Sequence, residues 1–453
     1  MKTFPLDPGV LEDFKRFLRF PSVSTQPAHR RDMVDCAQWL RDHLRGIGLR
    51  ADLYRTPGHP VIVGSSRRKK QRPAILIYGH YDVQPPEPLE LWKTPPFQPA
   101  IRDGQIYARG AMDNKGQIFC HIKGVESLLR ETGELPVDVL FLIEGEEEVG
   151  SRNLAPFVRA HRRQLNADVC VISDSSMYGP NQPAISFGLR GVICLELRVH
   201  GPSHDLHSGM FGGTIMNPAV ALAKVLGEII DSNGSITIPG FYDDVRPLNP
   251  AERRQLASLP SLGAGYQRML GVRALAGERG YTVNERRWAR PSFDINGIFG
   301  GYQAQGSKTV IPAWAGAKFS FRLVPNQTPA RVIQLIRRYL RKKLPAAVRW
   351  ELLAHELGAE PYLVSTDGPY FRAASRALEK AFGRKPYLIR EGGSIPIVTT
   401  IKKVLGLETI LIGLGLADDG AHSPNEHFGL DRLRKGILAS RHLLQELAVL
   451  RNG

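Results

Sequence analysis

The stretch VDVLFLIEGEEEVGS (residues 137–151) joins a largely apolar run to a dense cluster of acidic residues. The run at 137–143 has the length and composition of a strand buried on both faces, which is typical of a parallel sheet. Four glutamates follow within five positions: Glu144, Glu146, Glu147 and Glu148. Like charges this close repel, and a buried carboxylate is costly unless a cation neutralises it. The stretch therefore predicts a strand that ends at a cation-binding site.

Three other short apolar runs indicate buried strands of the same kind, at residues 74–78, 169–172 and 409–412. Between the first of them and the run at 137–143, four apolar residues recur at helical spacing on one face: Ile118, Ile122, Val125 and Leu129. Strands that alternate with helices predict an α/β fold, in which helices cover the sheet.

The pattern changes near residue 192, where apolar and polar positions begin to alternate as in half-buried strands. The α/β pattern resumes with a helix predicted at 369–382. We therefore predict an α/β domain formed by residues 1–191 and 366–453, with an α+β domain, residues 192–365, inserted into it. Within the insertion we expect strands at 193–199, 319–324 and 348–352, a helix at 332–339, and a long, weakly periodic excursion at 231–292.

The net charge of the chain raises the question of a nucleic-acid partner. Lys and Arg exceed Asp and Glu by 60 to 44, a net charge of +16 that could attract nucleic acid or anionic substrates. The densest basic run, residues 67–70, lies between two apolar runs without interleaved aromatic residues, so we expect a solvated turn and no nucleic-acid partner.

We also expect a cytoplasmic protein with no membrane partner. No apolar stretch reaches the length of a membrane span, and the first twenty residues are typical of an amphipathic helix rather than a signal peptide. The four cysteines are scattered without a CxxC pair, which disfavours a disulfide framework and a thiolate zinc site. We expect all four in the core: Cys36, Cys120, Cys170 and Cys194.

Potential metal ligands follow each predicted strand. In chain order they are His80 and Asp82, Glu147 and Glu148, Asp174, and, about ten residues after the last strand, His422. Open α/β sheets place their sites beyond the carboxyl ends of the strands. Residues i and i+2 of extended chain point the same way, so Asp82 can hold one nitrogen of His80 while the other binds metal.

Each of these residues alone also fits an ordinary structural role. His80 could cap a strand, Asp113 could cap the helix that follows it, and Asp174 and His422 could be plain loop residues. Together, two histidines and three carboxylates form a mixed nitrogen and oxygen ligand set that suits zinc, or manganese if carboxylates dominate. Two ions about 3.5–4 Å apart with a shared carboxylate would form a hydrolytic site.

The sequence resembles the M20 metallopeptidases, and in particular their cytosolic non-specific dipeptidase (carnosinase-like) branch. Nine collinear motifs that span nearly the whole chain carry the resemblance: YGHYDVQP (78–85), ARGAMDNKG (108–116), EGEEEVGS (144–151), SDSSMYGP (173–180), HDLHSGMFGG (204–213), KTVIP (308–312), FRLVPN (321–326), EGGSIP (391–396) and AHSPNEH (421–427). The resemblance implies a zinc-exopeptidase-like catalytic domain with an inserted lid and dimerisation domain.

The resemblance also implies two divalent metal ions per subunit, zinc or manganese. Their ligands would be His80 and Asp174 for one ion, Glu148 and His422 for the other, and Asp113 as the bridge. Glu147 takes the position of the general base on a metal-bridging water, and Asp82 that of the partner that orients His80. We expect Glu146 to face solvent and Glu144 to shape the site. Physical reasoning alone leaves the register among these adjacent glutamates open.

In the lid domain, the resemblance implies that His207 reaches into the partner subunit's site and stabilises the oxyanion. Arg322 would bind the terminal carboxylate of the substrate, a bidentate task suited to arginine. Thr309 and Ser394 would be further substrate contacts.

The predicted function is hydrolysis of the peptide bond of dipeptides by a two-metal homodimer. An N-acyl-amino-acid deacylase or a carboxypeptidase of the same family would use the same chemistry on other substrates. A binding protein without catalysis is an alternative of another class. The sequence leaves open the preferred side chains and the choice between zinc and manganese.

Overall fold

A computed structural model describes residues 6–451 apart from 70, 261–262 and 355–357. Its strands are β1 Arg50–Tyr54, β2 Val61–Ser65, β3 Ala74–His80, β4 Ala100–Arg102, β5 Gln105–Tyr107, β6 Asp138–Glu144, β7 Val169–Ile172, β8 Ala184–Leu189, β9 Gly191–His200, β10 Leu206–His207, β11 Ser292–Gly300, β12 Val310–Ile311, β13 Trp314–Leu323, β14 Arg349–Ala354, β15 Tyr362–Leu363, β16 Tyr387–Glu391, β17 Thr409–Gly413 and β18 His427–Gly429. Its helices are α1 Pro8–Leu18, α2 Arg30–Gly46, α3 Lys115–Thr132, α4 Leu154–Ala160, α5 Ser208–Phe211, α6 Pro218–Gly227, α7 Pro250–Ser258, α8 Gly263–Leu270, α9 Val283–Trp288, α10 Pro329–Lys343, α11 Pro369–Phe382, α12 Pro396–Leu405 and α13 Leu430–Ala448.

The chain divides into two compact units. Unit 1 comprises Met1–Phe187, Val364–Ile389 and Pro396–Gly453, and unit 2 comprises Gly188–Leu363 and Arg390–Ile395.

The centre of unit 1 is a mixed sheet in the order β1-β2-β6-β3-β7-β17-β8. Strand β3 pairs in parallel with β6 and β7, and β7 pairs in parallel with β17. Every residue of β6, β7 and β17 is buried, because helices cover the sheet. The sequence predicts this α/β arrangement and its parallel strands, and the structure confirms both.

The helices of unit 1 leave one edge of this sheet for the candidate site. Helix α13 packs on α3 and on α11, α2 packs on β1 and β2, and α12 packs on β17. The loops that follow β3, β6 and β7 emerge at the same edge, because parallel strands end together. A small antiparallel sheet, β18-β5-β4, anchors the chain just after the loop that carries His422.

Unit 2 is built on an antiparallel sheet in the order β11-β13-β9-β14. Apolar side chains alternate along β9 and β13, and α6 and α10 pack against that apolar face. Strands β10 and β12 form a separate two-stranded antiparallel sheet. The half-buried strands and the helix predicted in this part of the chain are confirmed.

One prediction about burial and one about secondary structure need correction. Cys36, Cys120 and Cys170 are buried, but Cys194 is exposed, because it occupies an outward position of β9. The excursion at 231–292 is less irregular than expected, since it contains α7, α8 and α9. Residues 67–69 of the basic run are exposed, and Lys70 lies outside the described residues. Within the described part of the chain, no helix is both long and apolar enough to span a bilayer.

Candidate active site

Asp113 lies at the centre of a cluster of ionisable groups in unit 1. Its Oδ1 atom is 3.3 Å from His80 Nε2, and its Oδ2 atom is 3.0 Å from His422 Nε2. Each oxygen of this carboxylate therefore faces a different histidine. His80 is the last residue of β3, and His422 belongs to the loop between β17 and β18.

Two further carboxylates complete two groups that share Asp113. Asp174 Oδ1 lies 3.8 Å from His80 Nε2, and Glu148 Oε2 lies 3.4 Å from His422 Nε2. Within each group of three, one potential ligand atom per residue lies within 4.8 Å of the others. These groups have the composition and spacing of two adjacent metal sites with one bridging carboxylate.

The buried polar atoms of this cluster fit bound cations. His80 Nε2 and Glu148 Oε1 are buried without a hydrogen-bond partner among the described residues. Such atoms are costly in a protein interior unless a ligand satisfies them. A divalent ion in each group would supply that partner, because imidazole and carboxylate are the ligands that zinc and manganese accept.

The pKa values of the carboxyl groups in this cluster also favour a bound cation. The pKa of Glu148 is raised to about 8, mainly by burial and also by the negative charge of Asp113. Burial also raises the pKa of Glu147 well above its usual range, and neighbouring carboxylates act in the same direction. For Asp113, burial alone would raise the pKa, but the hydrogen bond from His422 and the nearby positive charge of His80 hold it below its usual range. A bound cation would lower all three pKa values.

Asp82 connects His80 to the turn that carries the glutamates. Its Oδ1 lies 3.3 Å from His80 Nδ1, which leaves Nε2 of the ring directed at Asp113. The same carboxylate accepts hydrogen bonds from the backbone N–H groups of Glu147 at 3.3 Å and Glu148 at 3.1 Å. Asp82 therefore fixes both an imidazole and the turn that follows β6.

The prediction that Glu146 faces solvent is wrong. Glu146 is only 7% exposed. Its carboxylate accepts hydrogen bonds from Asn153 Nδ2 at 2.9 and 3.0 Å and from the backbone N–H of His59 at 3.2 Å. Glu146 therefore ties this turn to Asn153 and to the backbone of His59. Glu144 is also buried, and accepts hydrogen bonds from Tyr78 and Ser151.

Glu426 was not singled out in the sequence, although it lies within one of the quoted motifs. It is fully buried and accepts four hydrogen bonds at 2.8–3.0 Å, from Arg109 Nη1 and from the backbone N–H groups of Gly110, Met112 and Asp113. Glu426 thus holds the loop that presents Asp113. The signal available in the sequence is an acidic residue and an arginine in two separate motifs of the same site.

Asn114 and Gln84 were also missed. Asn114 Nδ2 donates to Asp174 Oδ1 at 2.9 Å and to the backbone carbonyl of Ser173 at 2.6 Å. Gln84 Nε2 donates to Glu148 Oε2 at 2.8 Å. Each amide orients one of the carboxylates that face the histidines.

In unit 2, the structure brings His207 and Thr309 together. Strands β10 and β12 pair His207 with Val310, and the backbone N–H of Ser208 donates to the carbonyl of Thr309 at 3.1 Å. The imidazole is exposed, and its Nδ1 accepts a hydrogen bond from the N–H of Gly209 at 3.0 Å. A neutral ring with Nδ1 as acceptor carries its proton on Nε2, so His207 presents an N–H donor.

Arg322 and Ser394 form a second pair in unit 2. Arg322 Nη1 donates to Ser394 Oγ at 3.3 Å, and Ser394 Oγ donates to the backbone carbonyl of Arg190. Arg322 is half-buried on β13 and forms no ion pair among the described residues. A half-buried guanidinium without a carboxylate partner is suited to an anionic ligand.

Comparison with known proteins identifies the family. The model of "Peptidase family M20/M25/M40" matches residues 76–446. The chain is 32% identical over 448 residues to the Cys-Gly metallodipeptidase dug1 of Schizosaccharomyces pombe, covering 96% of this chain and 94% of that protein. It is 31% identical over 447 residues to the Beta-Ala-His dipeptidase of Rattus norvegicus, covering 95% and 91% of the two chains.

A solved structure gives the same result. The M20 family metallo-carboxypeptidase of Sulfolobus solfataricus superposes with a TM-score of 0.88 and 32% identity, covering 98% of this chain and 100% of that one. The match to the family model and to full-length relatives confirms the family that the nine motifs predict. This chain therefore belongs to peptidase family M20/M25/M40.

Proposed function

We propose that this protein is a dipeptidase that depends on two divalent metal ions. The observation that carries the proposal is Asp113, whose two oxygens face two separate groups of one histidine and one carboxylate. The names of the two curated relatives support a dipeptide substrate, because they describe dipeptidases that align with nearly the whole chain.

The proposed ligands are His80 and Asp174 for one ion, Glu148 and His422 for the other, and Asp113 for both. When bound, zinc or manganese ions at these positions would polarise the scissile carbonyl and acidify a water molecule. The buried, unpartnered His80 Nε2 and Glu148 Oε1 support this assignment. Asp82 would keep the His80 ring in the orientation that directs Nε2 at the ion.

We assign Glu147 the role of general base. It would accept a proton from the attacking water and donate it to the leaving amine. Its position next to the proposed ligand Glu148, in the turn whose backbone N–H groups donate to Asp82, supports this assignment. Asp82 would position Glu147 through the backbone N–H of that residue.

Unit 2 would bind the rest of the substrate. Arg322 would bind the terminal carboxylate, assisted by Ser394, and Thr309 would contact the substrate near His207. The proposed role of His207 is to donate from Nε2 to the oxyanion, which the hydrogen bond at its Nδ1 supports.

We also propose a cytoplasmic homodimer in which the inserted domain, residues 192–365, acts as lid and dimerisation domain. The segment after His207 supports a protein interface, because Met210, Phe211 and Val220 are 73%, 38% and 51% exposed. The four cysteines form no disulfide, which suits a reducing compartment. If His207 acts in the partner's site, mixing His207→Ala with Asp113→Ala subunits should restore part of the activity. No recovery after demonstrated subunit exchange would contradict the role in trans.

A carboxypeptidase is the second candidate, because the solved structure with a TM-score of 0.88 carries that name. A panel of free dipeptides, longer peptides and N-acetyl amino acids separates the candidates. A dipeptidase should hydrolyse free dipeptides with a kcat/KM at least about tenfold above that for the other two classes. A preference for longer peptides would favour the carboxypeptidase, and a preference for N-acetyl amino acids a deacylase.

Two isosteric variants test the chemistry. Glu147→Gln should retain metal and lose about 10²–10⁴-fold in kcat, because only the proton acceptor is removed. Glu148→Gln should lose metal, because a neutral amide is a poor ligand, and excess metal should restore part of its activity. Metal analysis beside kinetics distinguishes them. Full activity of the Glu147→Gln variant would refute the assignment of the base.

A further inference from the structure

Arg190 is a half-buried arginine of unit 2 to which none of the roles above is assigned. We propose that Arg190 is a positioning residue, which holds the turn at residues 391–394 so that Ser394 and Arg322 together form the site for the substrate's terminal carboxylate. The inference rests on the proposed dipeptidase function and extends it to the substrate-recognition site in unit 2.

Both the backbone and the side chain of Arg190 contact this turn. The backbone N–H of Arg190 donates to the carbonyl of Glu391 at 3.2 Å, and its carbonyl accepts the hydrogen bond of Ser394 Oγ. Its Nε donates to the carbonyl of Gly392 at 3.2 Å. Arg190 therefore fixes both ends and the middle of a four-residue segment, and with them the Oγ atom that Arg322 contacts.

The guanidinium also connects the turn to the start of β11. Nη1 donates to the carbonyl of Arg290 at 3.3 Å and to Ser292 Oγ at 3.4 Å. Ser292 pairs with Arg322 in the register between β11 and β13. Arg190 thus joins the turn at residues 391–394 to the start of β11, which pairs with the strand that carries Arg322. A lysine has one charged nitrogen and no planar fork, so it cannot make this set of contacts.

Gly392 packs directly on the Arg190 side chain. A methyl group at Gly392 would lie 3.1 Å from Arg190 Nη2 and 3.2 Å from the carbonyl oxygen of Arg287. Such contacts are tighter than most carbon contacts in proteins, so a side chain here would displace the turn or the guanidinium. This close approach accounts for a glycine at that position in the EGGS sequence.

The charges of Arg190 and Arg322 favour the binding of an anion. All hydrogen-bond acceptors of Arg190 are neutral carbonyl or hydroxyl oxygens, and neither Arg190 nor Arg322 forms an ion pair among the residues that the structure describes. The pKa of Arg190 is lowered to about 10, mainly by burial and also by the positive charge of Arg322, whereas the negative charge of Asp294 acts in the opposite direction. The two guanidinium groups repel each other, and a bound anion would offset that repulsion. The carboxylate of a free dipeptide would relieve that repulsion.

The test compares free dipeptides with their C-terminal amides, which lack the carboxylate. The KM of a free dipeptide and the inhibition constant of its amide as a competitor are measured in one assay with metal-loaded enzyme. For Arg190→Lys we expect KM for the free dipeptide to rise about 10-fold or more, with the inhibition constant of the amide changed less than about twofold. Arg286→Lys is the matched control, because that guanidinium also donates to backbone carbonyls of unit 2 and should change neither constant.

A second variant keeps the test valid if Arg190→Lys folds poorly. Gly392→Ala leaves Arg190 intact and should raise the same KM selectively. The double variant Arg190→Lys, Ser394→Ala should lose no more than the worse single variant, because Arg190 acts through Ser394. Equal losses on the free dipeptide and the amide, or additive losses in the double variant, would overturn the role of Arg190. Failure of the wild-type enzyme to hydrolyse any dipeptide would instead overturn the proposed function on which this inference rests.

Discussion

The substitution Glu426→Gln tests how the structure holds Asp113. The two carboxylate oxygens of Glu426 accept four hydrogen bonds, two on each oxygen. A glutamine retains one acceptor oxygen and turns an NH₂ group toward the other two donors. Two buried donors therefore lose their acceptor, and Arg109, which is 1% exposed, loses its charged partner.

These losses set the expected magnitude. Each unsatisfied buried donor costs about 1–3 kcal/mol, and breaking a buried ion pair from one side costs about 3–5 kcal/mol. The two estimates describe the same contacts, so we expect a total loss of about 3–5 kcal/mol. At about 2–4 °C per kcal/mol, the Tm should fall by about 6–20 °C. The folded fraction should also bind metal more weakly, because Glu426 holds the backbone N–H of Asp113.

Thermal unfolding of metal-free protein and metal analysis of the folded protein at low temperature measure the two effects separately. Glu131→Gln is the matched control, since its ion pair with Arg441 is on the surface, with Glu131 58% exposed. Surface pairs contribute less than about 1 kcal/mol, so this control should unfold within about 4 °C of the wild type. A Glu426→Gln variant with an unchanged Tm and full metal content would refute the reasoning.

Three other outcomes are expected. Glu146→Gln should lower the free energy of unfolding by about 1–3 kcal/mol, because its buried carboxylate accepts from Asn153 and from the N–H of His59; an unchanged urea midpoint would contradict this. Burial raises the pKa of Glu144 to about 8, so between about pH 4.5 and 8 the folded state keeps a proton that the unfolded state loses. The free energy of unfolding should therefore fall as the pH rises through this range. Glu144→Gln should remove that part of the decline, which unfolding of metal-free protein across this pH range will reveal. Chelation should lower the Tm, because ions bind the folded state only. The decrease in Tm on chelation should be smaller at low pH. The hydrogen bond with Asp113 raises the pKa of His422, so a proton on this imidazole competes with the metal ion. A chelator effect independent of pH would argue against His422 as a ligand.

Local patterns in the sequence predict the central sheet of unit 1 because its strands are buried on both faces. In an α/β protein, a short, continuous apolar run such as residues 169–172 is typical of a central parallel strand. The helix at Pro369–Phe382 is predicted to the residue, since a proline opens it and Gly383 ends it in the left-handed conformation. The edge at which the polar residues gather follows from the parallel order of the strands.

Predictions of burial failed where long-range contacts decide the environment. Glu146 is buried because His59, 87 residues earlier, donates to it, and no local pattern indicates that contact. Glu426 contacts a loop more than 300 residues earlier in the chain. Cys194 is a different case, because the alternation of Ile193 and Leu195 already indicates that it points outward. At this position the strand's alternation outweighs the general tendency of cysteine to be buried.

The roles of the individual site residues remain predictions. Distances between side chains support a shared Asp113, but a role in proton transfer is a property of a reaction rather than of an arrangement. The boundaries at 191 and 365 also remain predictions. Periodicity could not reveal that a segment as short as Arg390–Ile395 belongs with unit 2, because six residues are too few to establish a pattern.

That short segment has a consequence for biosynthesis. Unit 2 needs Arg390–Ile395, which the ribosome makes after it has begun the return to unit 1. The sheet of unit 1 needs Thr409–Gly413, which lies between β7 and β8 although it is translated long after both. Neither unit can therefore complete its packing on a nascent chain that stops before residue 390. Until Thr409–Gly413 is made, β7 and β8 each leave an edge of unpaired backbone N–H and C=O groups beside buried apolar side chains. Such edges aggregate readily, so a chaperone that shields nascent strands should raise the yield of folded protein.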